Sequence, residues 1–120
     1  MWIRSLKKCT EFEAGDRTRL REILHPGKED LRLRYSLAHA RLRPGVTSTL
    51  HYLTTSEVYY VLAGRGRMEI DGESREVGAG DTVYIPPDGQ QRIESLGPED
   101  LEFLCIVDPA WRAEDEFVIE

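Results

Sequence analysis

Cysteine is scarce in this chain. Only Cys9 and Cys105 occur in 120 residues, far apart and in no Cys-x-x-Cys pair. That excludes a disulfide framework and a thiolate zinc or redox motif, and leaves two free thiols as the simplest reading. Long apolar runs are missing too, since nothing approaches the roughly 18 consecutive apolar residues of a spanning helix. The opening MWIRSLKK has neither a long apolar core nor a small-residue cleavage site. A secretory leader is therefore not expected, and the cytoplasm is the expected location. No stretch keeps a helical period for more than a turn. Basic residues form no isolated block: residues 1–43 hold 11 Lys/Arg beside 6 Asp/Glu, and residues 44–120 hold 5 beside 16. Arg17, Arg19 and Arg21 alternate with Thr18 and Leu20, and Arg32 and Arg34 alternate with Leu31 and Leu33. These read as solvated strand faces, and neither nucleic acid nor membrane is expected as a partner.

What remains is the balance of a globular protein, with 40 % apolar and 32 % charged residues and a net charge of −6. The length suits one domain over residues 1–120 with a real core. Short alternating runs follow one another between Gly, Pro and Asp. Strands are predicted over 2–6, 18–24, 31–42, 74–77, 82–85, 91–96 and 101–107, and around Met68 and Ile70. Turns are predicted at Ala14-Gly15-Asp16, His25-Pro26-Gly27, Asp71-Gly72, Gly78-Ala79-Gly80-Asp81 and Gly97-Pro98. Nine or ten short strands without helices predict an all-β sandwich or barrel. The tail from Pro109 onward suits a short helix or an extended arm.

The stretch Gly45 to Gly64, GVTSTLHYLTTSEVYYVLAG, carries the chemistry. Two apolar runs flank the polar turn Thr54-Thr55-Ser56, and as a hairpin they would put His51 and Leu53 on the same side as Glu57, Tyr59 and Val61. An imidazole and a carboxylate aimed into one interior make half a metal site, or a buried structural pair. On the same faces Met68, Ile93, Phe103 and Cys105 line a cavity with Leu53 and Tyr59, largely apolar with few polar groups, as small-ligand pockets are. The alternative is that these side chains simply fill a small barrel.

Gly45 to Gly64 resembles the first motif of the cupins: Gly, five residues, His-x-His, a short gap, Glu, six residues, Gly. Leu53 stands at the second His. Gly80 to Ser95 resembles the second motif at Gly80 and Pro86, with Asp88 for a Gly, Gln91 for the metal-binding His and Ser95 for the closing Asn. The resemblance implies an all-β cupin-type double-stranded β-helix, a jelly-roll barrel. It makes His51, Glu57 and Gln91 the candidates for a divalent metal (Zn, Ni, Mn or Fe), weakly bound or absent because Leu cannot coordinate and an amide oxygen is a weak ligand. Three readings follow: waters or substrate complete such a site, His39 or Cys105 is recruited to it, or the pocket works without metal. Two functions stand: a metal-assisted enzyme acting on a small carboxylate, enol or sugar derivative, and a non-catalytic small-molecule binder. No basic cluster beside the motifs suits a phosphate. Cupins often pair through N-terminal strands and sheet faces, and Trp2, Ile3, Trp111, Phe117 and Val118 need cover, so a homodimer is expected.

Overall fold

The computed structural model describes residues 1–119, in which eleven strands form two sheets. In chain order these are β1 (Phe12–Glu13), β2 (Arg19–Leu24), β3 (Ser36–Leu42), β4 (His51–Leu53), β5 (Ser56–Ala63), β6 (Arg65–Ile70), β7 (Glu73–Gly78), β8 (Thr82–Ile85), β9 (Gln91–Ser95), β10 (Leu101–Asp108) and β11 (Glu116–Val118). The larger sheet runs β1-β2-β3-β10-β5-β8 and the smaller β11-β4-β9-β6-β7, every pairing antiparallel. The architecture is all-β, as the strand pattern predicts, and is the jelly-roll barrel that the family resemblance implies.

Strict alternation sets which side of each strand faces inward. On β10, Leu101, Phe103, Cys105 and Val107 are buried between the sheets, while Glu102, Leu104, Ile106 and Asp108 face outward. Met68 and Ile93 meet them from the smaller sheet, and Tyr59, Val61 and Ile85 from the larger, in one apolar cluster. Burying a side chain such as Phe103 or Ile93 in full contributes about 2 kcal/mol. The interior face of β3 is Ser36, Ala38, Ala40 and Leu42, opposite in parity to Leu31, Leu33, Tyr35 and Leu37. Three of those four are small, so this wall of the barrel does not fill the space in front of it.

Four details depart from the sequence pattern. First, residues 2–5 form no strand; a 3-10 turn spans Leu6–Lys8, and Arg4 donates to the Ile23 carbonyl (2.9 Å) and to Glu29 Oε1 (2.7 Å). Second, β3 begins at Ser36 rather than at residue 31, because its partner β10 ends at Asp108, next to Pro109, and offers no further ladder. Third, β4 and β5 are not a hairpin. The turn at residues 54–55 carries the chain from one sheet to the other, so β4 pairs with β9 and β11 while β5 pairs with β8 and β10. His51 and Glu57 approach the interior from opposite sheets. Fourth, the tail, an arm with one 3-10 turn (Ala113–Asp115) as expected, also forms a strand that the pattern does not predict, β11, which adds to the edge of the smaller sheet.

Two turn positions show why the motif residues are what they are. Gly64 has φ +81°, and a Cβ there would lie 2.4 Å from the Asp100 carbonyl oxygen. Asp88 stands at a motif glycine yet adopts φ 68°, a region that Asp tolerates better than most residues, and its N–H donates to the Leu53 carbonyl (2.7 Å). Gly72 also has positive φ (84°), but a Cβ there would meet nothing within 4 Å. Gly64→Ala is therefore expected to lower stability by roughly 3 kcal/mol or more, and Gly72→Ala by only about 1 kcal/mol. Urea unfolding midpoints check this, and equal losses would mean that the close approach at Gly64 relaxes freely.

Candidate functional site

Between the sheets lies a cavity of about 360 Å³. Its walls include His51 and Leu53 of β4, Glu57 and Tyr59 of β5, Ala38 of β3 and Phe103, Cys105 and Val107 of β10. Its mouth is formed by Phe12–Asp16, Leu20, Glu22, Lys28, Trp111 and Glu116. The strand alternation that buries Tyr59 and Val61 also buries Glu57, only 7 % exposed. A larger hollow of about 580 Å³ on the outside of the smaller sheet has Arg17, Arg67 and Arg92 among Glu69 and Glu94. It is shallow, sets three arginines against two glutamates, and lacks the buried convergent groups of the cavity.

A chain of hydrogen bonds crosses between the sheets behind the cavity wall. Tyr59 Oη donates to Gln91 Oε1 (2.8 Å), and Gln91 Nε2 donates to Glu57 Oε1 (2.8 Å). The Tyr59 ring also packs on Phe103 with centroids 4.4 Å apart. Burial pushes the Glu57 carboxyl up to about 8, outweighing the opposing bond from Gln91, and the carboxylates of Asp16 and Glu116 add to the rise. Glu57 is thus a neutral acid at pH 7, and its second oxygen makes no hydrogen bond among the described residues. Burial likewise drives Tyr59 and Cys105 well above their ordinary values, so both stay protonated.

His51 Nδ1 lies 2.7 Å from the Thr49 carbonyl. A carbonyl only accepts, so Nδ1 carries a proton, and in the neutral ring Nε2 is an acceptor. Nε2 sits 3.7 Å from Asp16 Oδ2, while Asp16 Oδ1 accepts from the Thr18 amide (3.1 Å) and hydroxyl (2.7 Å). Glu116 is raised by burial and then by Asp16, with His51 opposing.

Of the residues that the sequence nominates, His51, Leu53, Glu57, Tyr59, Phe103 and Cys105 line this cavity, and Gln91 lies behind it, bonded to two of them. Met68 and Ile93 do not line it; they belong to the apolar core, because β6 and β9 meet the opposite sheet beyond the cavity floor. His39 points to the outside of the larger sheet, where Nε2 donates to Glu102 (2.9 Å). Asp16, Lys28, Trp111 and Glu116 escape sequence reasoning, since they come from a turn, a loop and the tail with no motif to mark them.

The donor set does not fit a divalent ion. The Gln91 oxygen is taken by Tyr59, Leu53 offers no donor, and one Glu57 oxygen already accepts from Gln91. Among the described residues no group of three or more His, Cys, Asp or Glu side chains is arranged to hold one.

Residues 38–107 match the sequence profile of the Cupin_2 family, described as Cupin domain, and the chain belongs to that family. It is 41 % identical over 114 residues to the uncharacterized protein MJ1618 of Methanocaldococcus jannaschii, covering 94 % of this chain and 90 % of that one. An oxalate-binding protein of Thermotoga maritima is 34 % identical over 71 residues, covering 58 % of this chain and 59 % of that protein. Among solved structures the Streptomyces barrel Pac13, described as a nucleoside dehydratase, superposes with a TM-score of 0.81 at 17 % identity, covering 100 % of this chain and 92 % of the other. At that identity it shows the shared fold alone.

The raised carboxyl makes a pH signature. Folded Glu57 keeps its proton up to about pH 8, whereas the unfolded carboxyl releases it near its ordinary 4.5. Between those values the folded chain binds more protons, so stability falls as pH rises, by up to about 1.4 kcal/mol per unit. Glu57→Gln still accepts from Gln91 but cannot titrate. Melting temperatures at pH 5 and pH 8 should fall more for the native protein than for Glu57→Gln, and parallel behaviour would show that Glu57 is ionised throughout.

Proposed function

We propose that this chain is a small-molecule-binding cupin whose barrel cavity works through hydrogen bonding and acid–base groups rather than through a metal ion. The observation that carries this reading is the Gln91 amide, engaged at both ends by Tyr59 and Glu57. Those bonds occupy the side chains that the family resemblance would give to a metal. They leave one neutral carboxylic acid, Glu57, and one acceptor nitrogen, His51 Nε2, on a cavity that is otherwise largely apolar. Such a pair orients a compact polar ligand, and it favours a second reading in which Glu57 delivers a proton and His51 removes one. The description of Pac13 as a nucleoside dehydratase, with uridine bound to its variants, supports a ligand of about that size in a barrel of this shape. Oxalate, which names a curated relative, fits poorly, because a dianion would enter beside the carboxylates of Asp16 and Glu116.

Calorimetric titration with Zn and Ni tests the reading. The native protein, purified without a metal-affinity tag, should bind neither ion at micromolar concentration. Leu53→His combined with Gln91→His should gain binding, since position 53 already faces the cavity. Tight binding by the native protein that His51→Ala abolishes would overturn it.

We further propose a homodimer through the outer face of the larger sheet. There Leu37, Val58, Leu104 and Ile106 are half-buried, and Tyr60, Leu62 and Tyr84 are exposed. Register places Leu37, Ile106, Val58 and Tyr84 in one row across four strands. A second copy related by a two-fold axis offers the same flat apolar face in return. The apolar side chains near the termini are already partly covered, Phe117 stacked on Tyr52 at 5.1 Å and Trp2 beneath the Arg4 guanidinium at 4.7 Å. Light scattering should give twice the 13.8 kDa of one chain, and Tyr60→Lys with Tyr84→Lys should halve it. A native mass of 13.8 kDa would refute the dimer.

A further inference from the structure

The cavity has an uneven charge, and that points to what enters it. Carboxylates of Glu13, Asp16 and Glu116 stand around the mouth. Among the described residues the only lysine or arginine on the lining is Lys28, and its Nζ is 2.7 Å from Glu22 Oε1, so that pair cancels. The arginines of neighbouring strands are turned away: Arg41, Arg19 and Arg21 gather around Glu11, with Arg41 Nη2 2.7 Å from its Oε1. Asp16 is fixed by its two bonds from Thr18, and its free oxygen faces only His51 Nε2 at 3.7 Å.

A second observation marks the space as built for an occupant. His51 and Glu57 are 2 % and 7 % exposed and both line the cavity, and each keeps one polar atom, Nε2 and Oε2, without a hydrogen bond among the described residues. Buried polar atoms are rarely left so unless a ligand or water completes them. Between the carboxylates and this floor the walls are apolar, with Leu20, Leu53, Phe103 and Val107, and the Trp111 ring lies at the rim.

We propose that the ligand is a small organic cation, an ammonium group on an apolar or aromatic body, with its charge held between Asp16 and Glu116 beside Trp111 and its body reaching toward Glu57. This rests on reading the cavity as the ligand site. A cation relieves the repulsion between two carboxylates that face His51 but no lysine or arginine, and an indole face adds to its hold. The net charge of −6 draws such a ligand in and repels anions.

Three probes of one shape separate charge from fit: 2-phenylethylammonium, 2-phenylethanol and phenylacetate, titrated calorimetrically into chelator-treated protein. The ammonium should bind at least ten-fold more tightly than the alcohol, and phenylacetate most weakly. Asp16→Asn with Glu116→Gln should remove about ten-fold from ammonium affinity and leave the alcohol unchanged. Should the double variant fold poorly, Lys28→Ala supplies a separate arm. Freeing Glu22 should strengthen ammonium binding, whereas a site built for anions would lose affinity. Absence of ammonium binding, equal affinity for all three probes, or preference for phenylacetate would overturn the proposal. Metal uptake by the native protein would overturn the metal-free reading alone, because these titrations exclude metal.

Discussion

Gln91 belongs to β9 of the smaller sheet, yet both ends of its side-chain amide are used by residues of β5 in the larger one. It is wholly buried, so neither bond has water as a substitute. An orphaned buried amide costs about 1–3 kcal/mol, which makes the tie between the sheets specific in register as well as favourable. A slip of β9 by one residue would turn Gln91 outward and bring Arg92 into the core. The apolar cluster of Phe103, Ile93, Met68 and Val61 holds the sheets together without specifying their alignment so sharply. The amide does specify it, and in doing so sets where Glu57 stands.

The rest of the site follows from that placement. A carboxyl held by a neutral amide in an apolar wall keeps its proton, because burial penalises the ionised form more than one donated hydrogen bond favours it. The small side chains of Ser36 and Ala38, two strands away in the same sheet, leave the space beside it open. The mouth is then closed by pieces distant in sequence. Asp16 comes from the turn before β2 and Lys28 from the next loop. Glu116 comes from β11, whose pairing with β4 brings the tail to the barrel rim. His25 Nε2, 2.7 Å from the Trp111 carbonyl, joins that loop to the tail. A family scaffold known for several chemistries thus carries, in this chain, a polar relay where its sequence motifs suggest ligands for a metal.

Strand order and family were legible because their signals are local. Asp71-Gly72, Gly78-Ala79-Gly80-Asp81 and Pro86-Pro87 punctuate the chain, and the period-two alternation of Leu101 to Val107 tells one face from the other. The motif glycines record real constraints: at Gly64 the backbone of Asp100 comes too close for any side chain. His51, Glu57 and Gln91 could likewise be nominated from spacing. Their hydrogen bonding could not, because whether a buried Gln offers its oxygen to a metal or to a tyrosine depends on what stands opposite in the other sheet.

By itself, then, the sequence determined the all-β class, the turn positions, the inward parity of most strands and the residue types available at the cavity. Each of these rests on contacts between neighbours in the chain or on backbone geometry. Only the tertiary structure decided that β4 and β5 face each other from different sheets rather than pairing, that Met68 and Ile93 fill the core, and that Asp16 and Glu116 converge on His51. Those outcomes depend on register between strands tens of residues apart and on burial of charge. Neither leaves a periodic trace in the order of the residues.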